Sequence, residues 1–356
     1  MITVFTPSFA DDNNTNAQNL TVKEVVARMD PNLFRVILLG SEIADPRIAR
    51  RPNTQIMPWR KRGNTPRVLF QLFTHLPDVY FFPREGQLDA GFLAMRRMLA
   101  LKTALVTYVI SGGLENGHRP LLFRSILESD VVAGNSRRMT ETAGKLGGKN
   151  VQTVYDGIDR RYYFPASNIA SAGTGKTVLF AGSFRRYKRA DLVVREAMRH
   201  PDWQFRLAGI GEEQMACREL AREGNCKNVH FLDHLNAAQL GEEMRQAQLF
   251  FFPSEIEGHP QVLGQAAACG LPCIARDSYA PDYVLDGITG SLCESDDELS
   301  AALRRLIGDP DLRMQMSVAA VKHAQQFEWD AIAKQWETIM EKAVANRQNH
   351  RHQRIS

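Results

Sequence analysis

Short, largely apolar runs recur along the chain, spaced so that a helix fits between each pair. Ile2 to Phe5, Phe34 to Leu39, Val79 to Phe82 and Ala104 to Ile110 stand in the first half. Thr177 to Gly182, Gln204 to Ala208, Val229 to Leu232, Leu249 to Phe252, Cys273 to Ala275 and Gly290 to Leu292 follow in the second. Runs that stay apolar instead of alternating read as strands buried on both faces. Between them, Val22 to Met29, Leu88 to Leu101, Ala190 to Met198 and residues 296–308 carry helical spacing, and residues 327–336 read as one more amphipathic helix. Strand–helix alternation of this kind predicts parallel sheets covered by helices. The polar stretch from Ser8 to Asn19, the basic Pro/Asn-rich residues 41–66 and the run from Ser111 to His118 read as loops, the second as one long connection.

A length of 356 residues favours two domains, and the Ala/Ser/Gly/Asn-rich residues 166–175 read as the linker between them. A net charge of +4 with 24% charged residues is that of an ordinary globular surface, and no basic-aromatic module points to nucleic acid. The amino-terminal run goes straight into a strand with no leader, and no apolar run is long enough to span a membrane, so a cytoplasmic protein is expected. The five cysteines lie in the second half without C-x-x-C spacing and read as buried thiols.

Two segments carry chemistry. In Phe251 to Pro272 an apolar strand enters a turn bearing Glu257. A helix follows with Gln265 on its first turns, and Gly270 and Pro272 close it. Polar side chains flanking a helix N-terminus suit a ligand with both anionic and hydroxyl groups, such as a nucleotide-sugar. In Gly182-Ser183-Phe184-Arg185-Arg186-Tyr187-Lys188 a strand passes into a helix through a cationic turn, a setting that stabilises a diphosphate. Gly209-Ile210-Gly211 likewise follows a strand and opens a helix.

The first of these segments resembles the donor-binding motif of family 4 glycosyltransferases, which are retaining enzymes of the GT-B fold. Ser129 to Ser136, and Val154 to Asp159 with Phe164-Pro165, resemble the same family, so the resemblance spans about residues 129–345. It implies an α/β GT-B architecture of two Rossmann-like domains facing across a cleft. Residues 1–166 would bind the acceptor and residues 167–326 the donor. A helix at 327–345 would cross back onto the first domain, and a flexible polar tail at 346–356 would follow.

The resemblance also implies roles. Glu257 matches the glutamate that contacts the donor sugar. Gln265 stands where the family has the glutamate that holds the ribose. An amide can accept and donate there but lacks a charge-assisted bond. Lys188 matches the family's lysine. Ser183 takes the place of its arginine, and Arg185 or Arg186 is expected to supply that charge. Lys188 and an arginine would stabilise the departing diphosphate, with Gly182, Gly209, Gly211 and the turn His259-Pro260-Gln261-Val262 completing the donor site. Asn14, Asn16, Glu115 and His118 are the acceptor-side candidates.

The reaction implied is metal-independent transfer of a hexosyl unit from a UDP- or GDP-sugar to a hydroxyl of a glycan, a lipid-linked glycan or a small molecule. No cofactor is expected. Asp309-Pro310-Asp311 falls between two helices as a stop and cap, which removes the one metal-like motif. The mildly basic balance leaves room for a peripheral contact with the inner membrane face. Ser183, Gln265 and the absence of a histidine around Val109 to Ser111 motivate one alternative, a non-catalytic partner subunit that binds nucleotide-sugar or glycan.

Overall fold

The apolar runs do assemble into parallel sheets in the computed structural model, which describes residues 1–12, 17–41, 43–59, 64–83, 86–110, 120–166 and 175–352. The chain forms two compact units, Met1–Gly157 with Trp329–Ser356, and Ile158–Glu328.

The first unit runs β1 (Ile2–Phe9), α1 (Ala17–Arg28), β2 (Phe34–Gly40), α2 (Pro46–Ala49), β3 (Thr54–Pro58), α3 (Thr65–Thr74), β4 (Val79–Phe81), α4 (Gln87–Met98) and β5 (Ala104–Val109). It continues with α5 (Pro120–Glu128), β6 (Val131–Gly134), α6 (Arg137–Lys145) and β7 (Val151–Thr153). Its seven strands lie in the order β3-β2-β1-β4-β5-β6-β7, every pair parallel.

Residues 41–66 are not the single connection that their polar composition predicts. They hold α2, capped by the Asp45 side chain, then β3, and the start of α3. β3 is an edge strand with only Met57 buried, so its sequence lacks the apolar run that betrays central strands. Pro58 is tolerated at its end because no strand lies beyond it.

In the second unit come β8 (Thr177–Ala181), α7 (Ala190–Arg199), β9 (Gln204–Ala208), α8 (Gln214–Glu223), β10 (Val229–Asp233) and α9 (Ala237–Gln246). After them run β11 (Leu249–Phe252), α10 (Gln261–Ala268), β12 (Cys273–Arg276), β13 (Gly290–Cys293), α11 (Asp296–Gly308) and α12 (Pro310–Ala324). The strand order is β10-β9-β8-β11-β12-β13, again all parallel. The chain winds outward from β8 in one direction, then returns to add β11 on its other side. That reversal leaves a crevice at the carboxyl ends of β8 and β11, where open α/β sheets bind ligands.

The last helix, α13 (Trp329–His352), belongs to the first unit. Its Trp336 is fully buried and meets Phe81 and Tyr108 edge-on, at centroid distances of 4.8 and 5.0 Å. Gly157 is required beside it, since a Cβ there would lie 2.2 Å from the Trp329 ring. The helix does not end at the expected tail. Arg347 anchors it by an ion pair to Asp130 at 2.9 Å and a bond to the Leu101 carbonyl at 3.3 Å, and helix continues to His352.

Candidate functional site

The crevice of the second unit holds a cavity of about 440 Å³. Its floor is built from the ends of β8 and β9, namely Ala181, Gly182 and Ser183 beside Ala208, Gly209 and Ile210. Gly209 has φ +134°, and a Cβ on it would lie 1.9 Å from the Gly182 carbonyl oxygen. Only glycine lets the two strand ends approach so closely. Gly211 also requires a missing side chain, but for packing: a Cβ would meet the Phe184 carbonyl oxygen at 2.5 Å. It does not line the cavity.

Lys188 ends a single 3-10 turn, Arg186–Lys188. Its ammonium donates to Glu257, and the Phe252 and Tyr187 ring centroids stand 5.2 and 5.5 Å from it. Both partners are largely buried, 13% and 12% exposed, and both line the cavity. An ion pair in such surroundings is costly to break from one side, because the remaining charge keeps no partner.

Opposite them α10 begins. Pro260 occupies its N-cap without a capping side chain, and Pro260, Gln261 and Val262 line the cavity. The positive end of a helix dipole is thus presented to whatever the cavity holds. Gln265, one turn after Gln261 and on the same helix face, lines it too.

A brace of charges ties the lysine turn to the glutamate loop. Arg189, at φ +54°, donates to Asp191 at 3.2 Å, Glu255 at 2.8 Å and Asp296 at 2.9 Å. Arg276 is buried and donates to the Pro253 and Glu294 carbonyls, each at 3.2 Å, and to Asp296. The Glu255 amide bonds the Tyr187 carbonyl at 2.8 Å. Burial works against the charges of Arg189 and Asp296. Hydrogen bonds to Asp191, Asp296 and Glu255 outweigh it and raise the pKa of Arg189, and those from Arg189 and Arg276 lower that of Asp296.

The remaining candidates fall elsewhere. Arg185 and Arg186 are exposed and line a separate cavity of about 520 Å³ with Arg189, Asp191, Glu213 and Glu255. The 3-10 turn sends Lys188 into the first cavity and leaves the two arginines on the other. Ser183 therefore lines the first cavity with no arginine beside it among its described lining residues. His259 packs on Tyr283 with ring centroids 4.3 Å apart, and burial pushes its pKa down to about 3, so it is neutral at pH 7. It lies behind the cavity, not on its lining. Asn14, Asn16, Glu115 and His118 lie outside the described residues.

Ile210, in the turn that the sequence singled out after β9, lines one wall of the cavity, and sequence reasoning missed its neighbours His234, Leu235 and Leu240, which follow β10. Their only signal was position after a parallel strand, which does not separate a ligand wall from an ordinary loop. Among the described residues no group of three or more His, Cys, Asp or Glu is placed to hold a metal ion. The five cysteines are free, and burial raises the thiol pKa of Cys217 to about 11 and of Cys269 to about 12.

Comparison with known proteins agrees with this geometry. Residues 166–323 match the family model described as Glycosyl transferases group 1. The chain is 30% identical over 233 residues to the N-acetyl-alpha-D-glucosaminyl L-malate synthase of Bacillus anthracis, covering 60% of each. It is 32% identical over 225 residues to the D-inositol 3-phosphate glycosyltransferase of Corynebacterium diphtheriae, covering 59% of this chain and 53% of the relative. The match thus spans three-fifths or less of these two curated relatives.

Among solved structures, Anabaena HepE in complex with UDP superposes with a TM-score of 0.75 at 15% identity, over 96% of this chain and 100% of that one. Sucrose-phosphate synthase of Thermosynechococcus elongatus gives 0.72 at 18% identity, over 97% and 100%. Likeness at that identity establishes the fold, which is GT-B with two Rossmann-like domains. The likeness to the group 1 glycosyl transferases lies in residues 166–323, the part of the chain that carries the cavity.

Proposed function

We propose that this chain is a retaining glycosyltransferase that moves a hexosyl unit from a nucleotide-diphosphate sugar to a hydroxyl acceptor without a metal ion. The observation that carries the reading is the meeting of Lys188, Glu257 and the uncapped start of α10 on one cavity at the sheet's switch point. A diphosphate fits between the ammonium and the helix amides. The base then falls toward Ile210, Leu235 and Leu240, Gln265 reaches the ribose, and Glu257 accepts from sugar hydroxyls.

As the C1–O bond breaks, negative charge grows on the leaving phosphate oxygen. Lys188 and the helix dipole are already aimed there, and they supply the stabilisation that a metal gives in other transferases. Glu257 is the one carboxylate among the described residues of the cavity lining. A double displacement needs a carboxylate nucleophile as well as an acid–base group. One carboxylate already paired with lysine suits front-face attack better, with the acceptor proton passing to the departing phosphate oxygen.

Anabaena HepE has also been solved in complex with UDP and glucose, which favours a UDP-sugar donor here. The curated relatives, named for malate and inositol 3-phosphate products or substrates, favour a small or glycan hydroxyl acceptor. The first unit would bind that acceptor. Catalysis is favoured over a non-catalytic partner because Lys188 and Glu257 stand together in one cavity. The test is donor hydrolysis in the presence of EDTA. Slow release of UDP from a UDP-sugar, lost in Lys188→Ala, supports the reading. No release and no transfer to any hydroxyl acceptor returns the protein to the partner-subunit alternative.

A further inference from the structure

Helices that join parallel strands must run antiparallel to them. α3, α4 and α5 therefore all end at one edge of the seven-stranded sheet, away from the strands' carboxyl ends. α3 packs on α4 and α4 on α5, so their ends form one surface. Phe73 and Leu76 at the end of α3, Met98 and Leu99 at the end of α4, and Leu127 in α5 are all exposed there. Phe70 and Phe123 are exposed about one turn earlier.

These are not misplaced core residues. The inward faces are already filled by Val68, Leu72, Phe92, Leu93, Leu122 and Ile126. Among the described residues, seven of the nineteen exposed large apolar side chains fall between Phe70 and Leu127, a density that scattered surface residues do not produce.

Charge at this edge has one sign. Arg97 and Lys102 are exposed, whereas the acids described nearby are tied down. Asp78 accepts from the Thr3 amide, Asp130 from Arg96, and Glu128 pairs with Arg124. α13 reaches the same edge, where Arg347 bonds the Leu101 carbonyl.

We infer that this edge docks onto a membrane surface containing anionic lipids. The aromatic and Met/Leu tips enter the boundary between headgroups and acyl chains, and the cations snorkel to the phosphates. No described helix is long and apolar enough to cross a membrane, so the contact is peripheral. The inference stands apart from the donor-site reading, because none of these residues lines the donor cavity.

The test is co-sedimentation of the full chain with vesicles of phosphatidylcholine alone and of equimolar phosphatidylcholine and phosphatidylglycerol. The wild type should pellet with the anionic vesicles and remain in solution with the neutral ones. Phe70→Ser with Phe73→Ser should abolish pelleting. Arg97→Gln with Lys102→Gln should weaken it about fivefold for each cation removed. The substituted side chains are exposed, so unchanged thermal melting verifies the fold of each variant. Three results overturn the inference: a wild type that stays in solution with both vesicles, pelleting that survives all four substitutions, or a wild-type dimer that the two serine substitutions dissociate. The last would identify the surface as an interface between copies of the chain.

Discussion

Lys188 donates a hydrogen bond to Glu257 across 69 positions of sequence, and the pair stands on the cavity that the reversal of strand order creates. Each residue sits on a loop following a different strand, β8 and β11, and those strands are neighbours in the sheet. The sheet topology thus delivers the pair, and the brace through Arg189, Asp296 and Arg276 sets its register.

Asp296 never lines the cavity, yet it joins Arg189 of the lysine turn to Arg276 beneath the glutamate loop. Asp296→Asn should lower kcat by about tenfold with KM nearly unchanged, as expected when catalytic groups drift from their alignment. The same substitution in a Lys188→Ala background should have little further effect. Additive losses would mean that Asp296 acts independently of the lysine turn.

Gln265→Glu restores a carboxylate at the position read as the ribose contact. A charge-assisted bond exceeds a neutral one by about 1 kcal/mol, so the affinity for UDP should rise roughly fivefold. Calorimetric titration of both proteins checks this. Unchanged affinity would place the ribose elsewhere.

Gly209→Ala forces a methyl group against the Gly182 carbonyl and strains a backbone at φ +134°. The variant should lose at least about 2 kcal/mol in urea unfolding and bind UDP poorly even where it folds. Gly287→Ala is the matched control. It also has a positive φ, at +69°, but nothing lies within 4 Å of its Cβ. It should cost less.

His259 supplies a pH signature. Its pKa of about 3 in the folded chain lies below the ordinary histidine value of 6.5, because burial disfavours the charged ring. Between those values the unfolded chain binds the extra proton. Stability is therefore full above pH 6.5 and falls as pH is lowered toward 3, by at most about 1.4 kcal/mol per pH unit. Unfolding free energies at pH 7.5 and 5.0 should differ less in His259→Gln than in the wild type.

Much of this was legible in the chain. Central strands announce themselves because both faces are buried, and Leu249–Phe252 coincides with the sequence reading. Lys188 and Glu257 stood out because the segments that carry them resemble a family's donor motif, and the structure brings both onto one cavity. β3 was not, since an edge strand with polar positions resembles a loop. The direction in which Arg185 and Arg186 point depends on a three-residue turn, which residue type alone does not fix. The Arg189–Asp296 bond joins residues 107 positions apart and leaves no local pattern.

The most direct measurement is calorimetric titration of UDP, with EDTA present, into the wild type and Lys188→Ala. The account predicts binding by the wild type and a loss of ten- to a hundredfold in the variant, the scale of one or two charge-assisted bonds to a phosphate. Equal affinity in the two proteins, or wild-type binding that appears only when a divalent metal is restored, would contradict it.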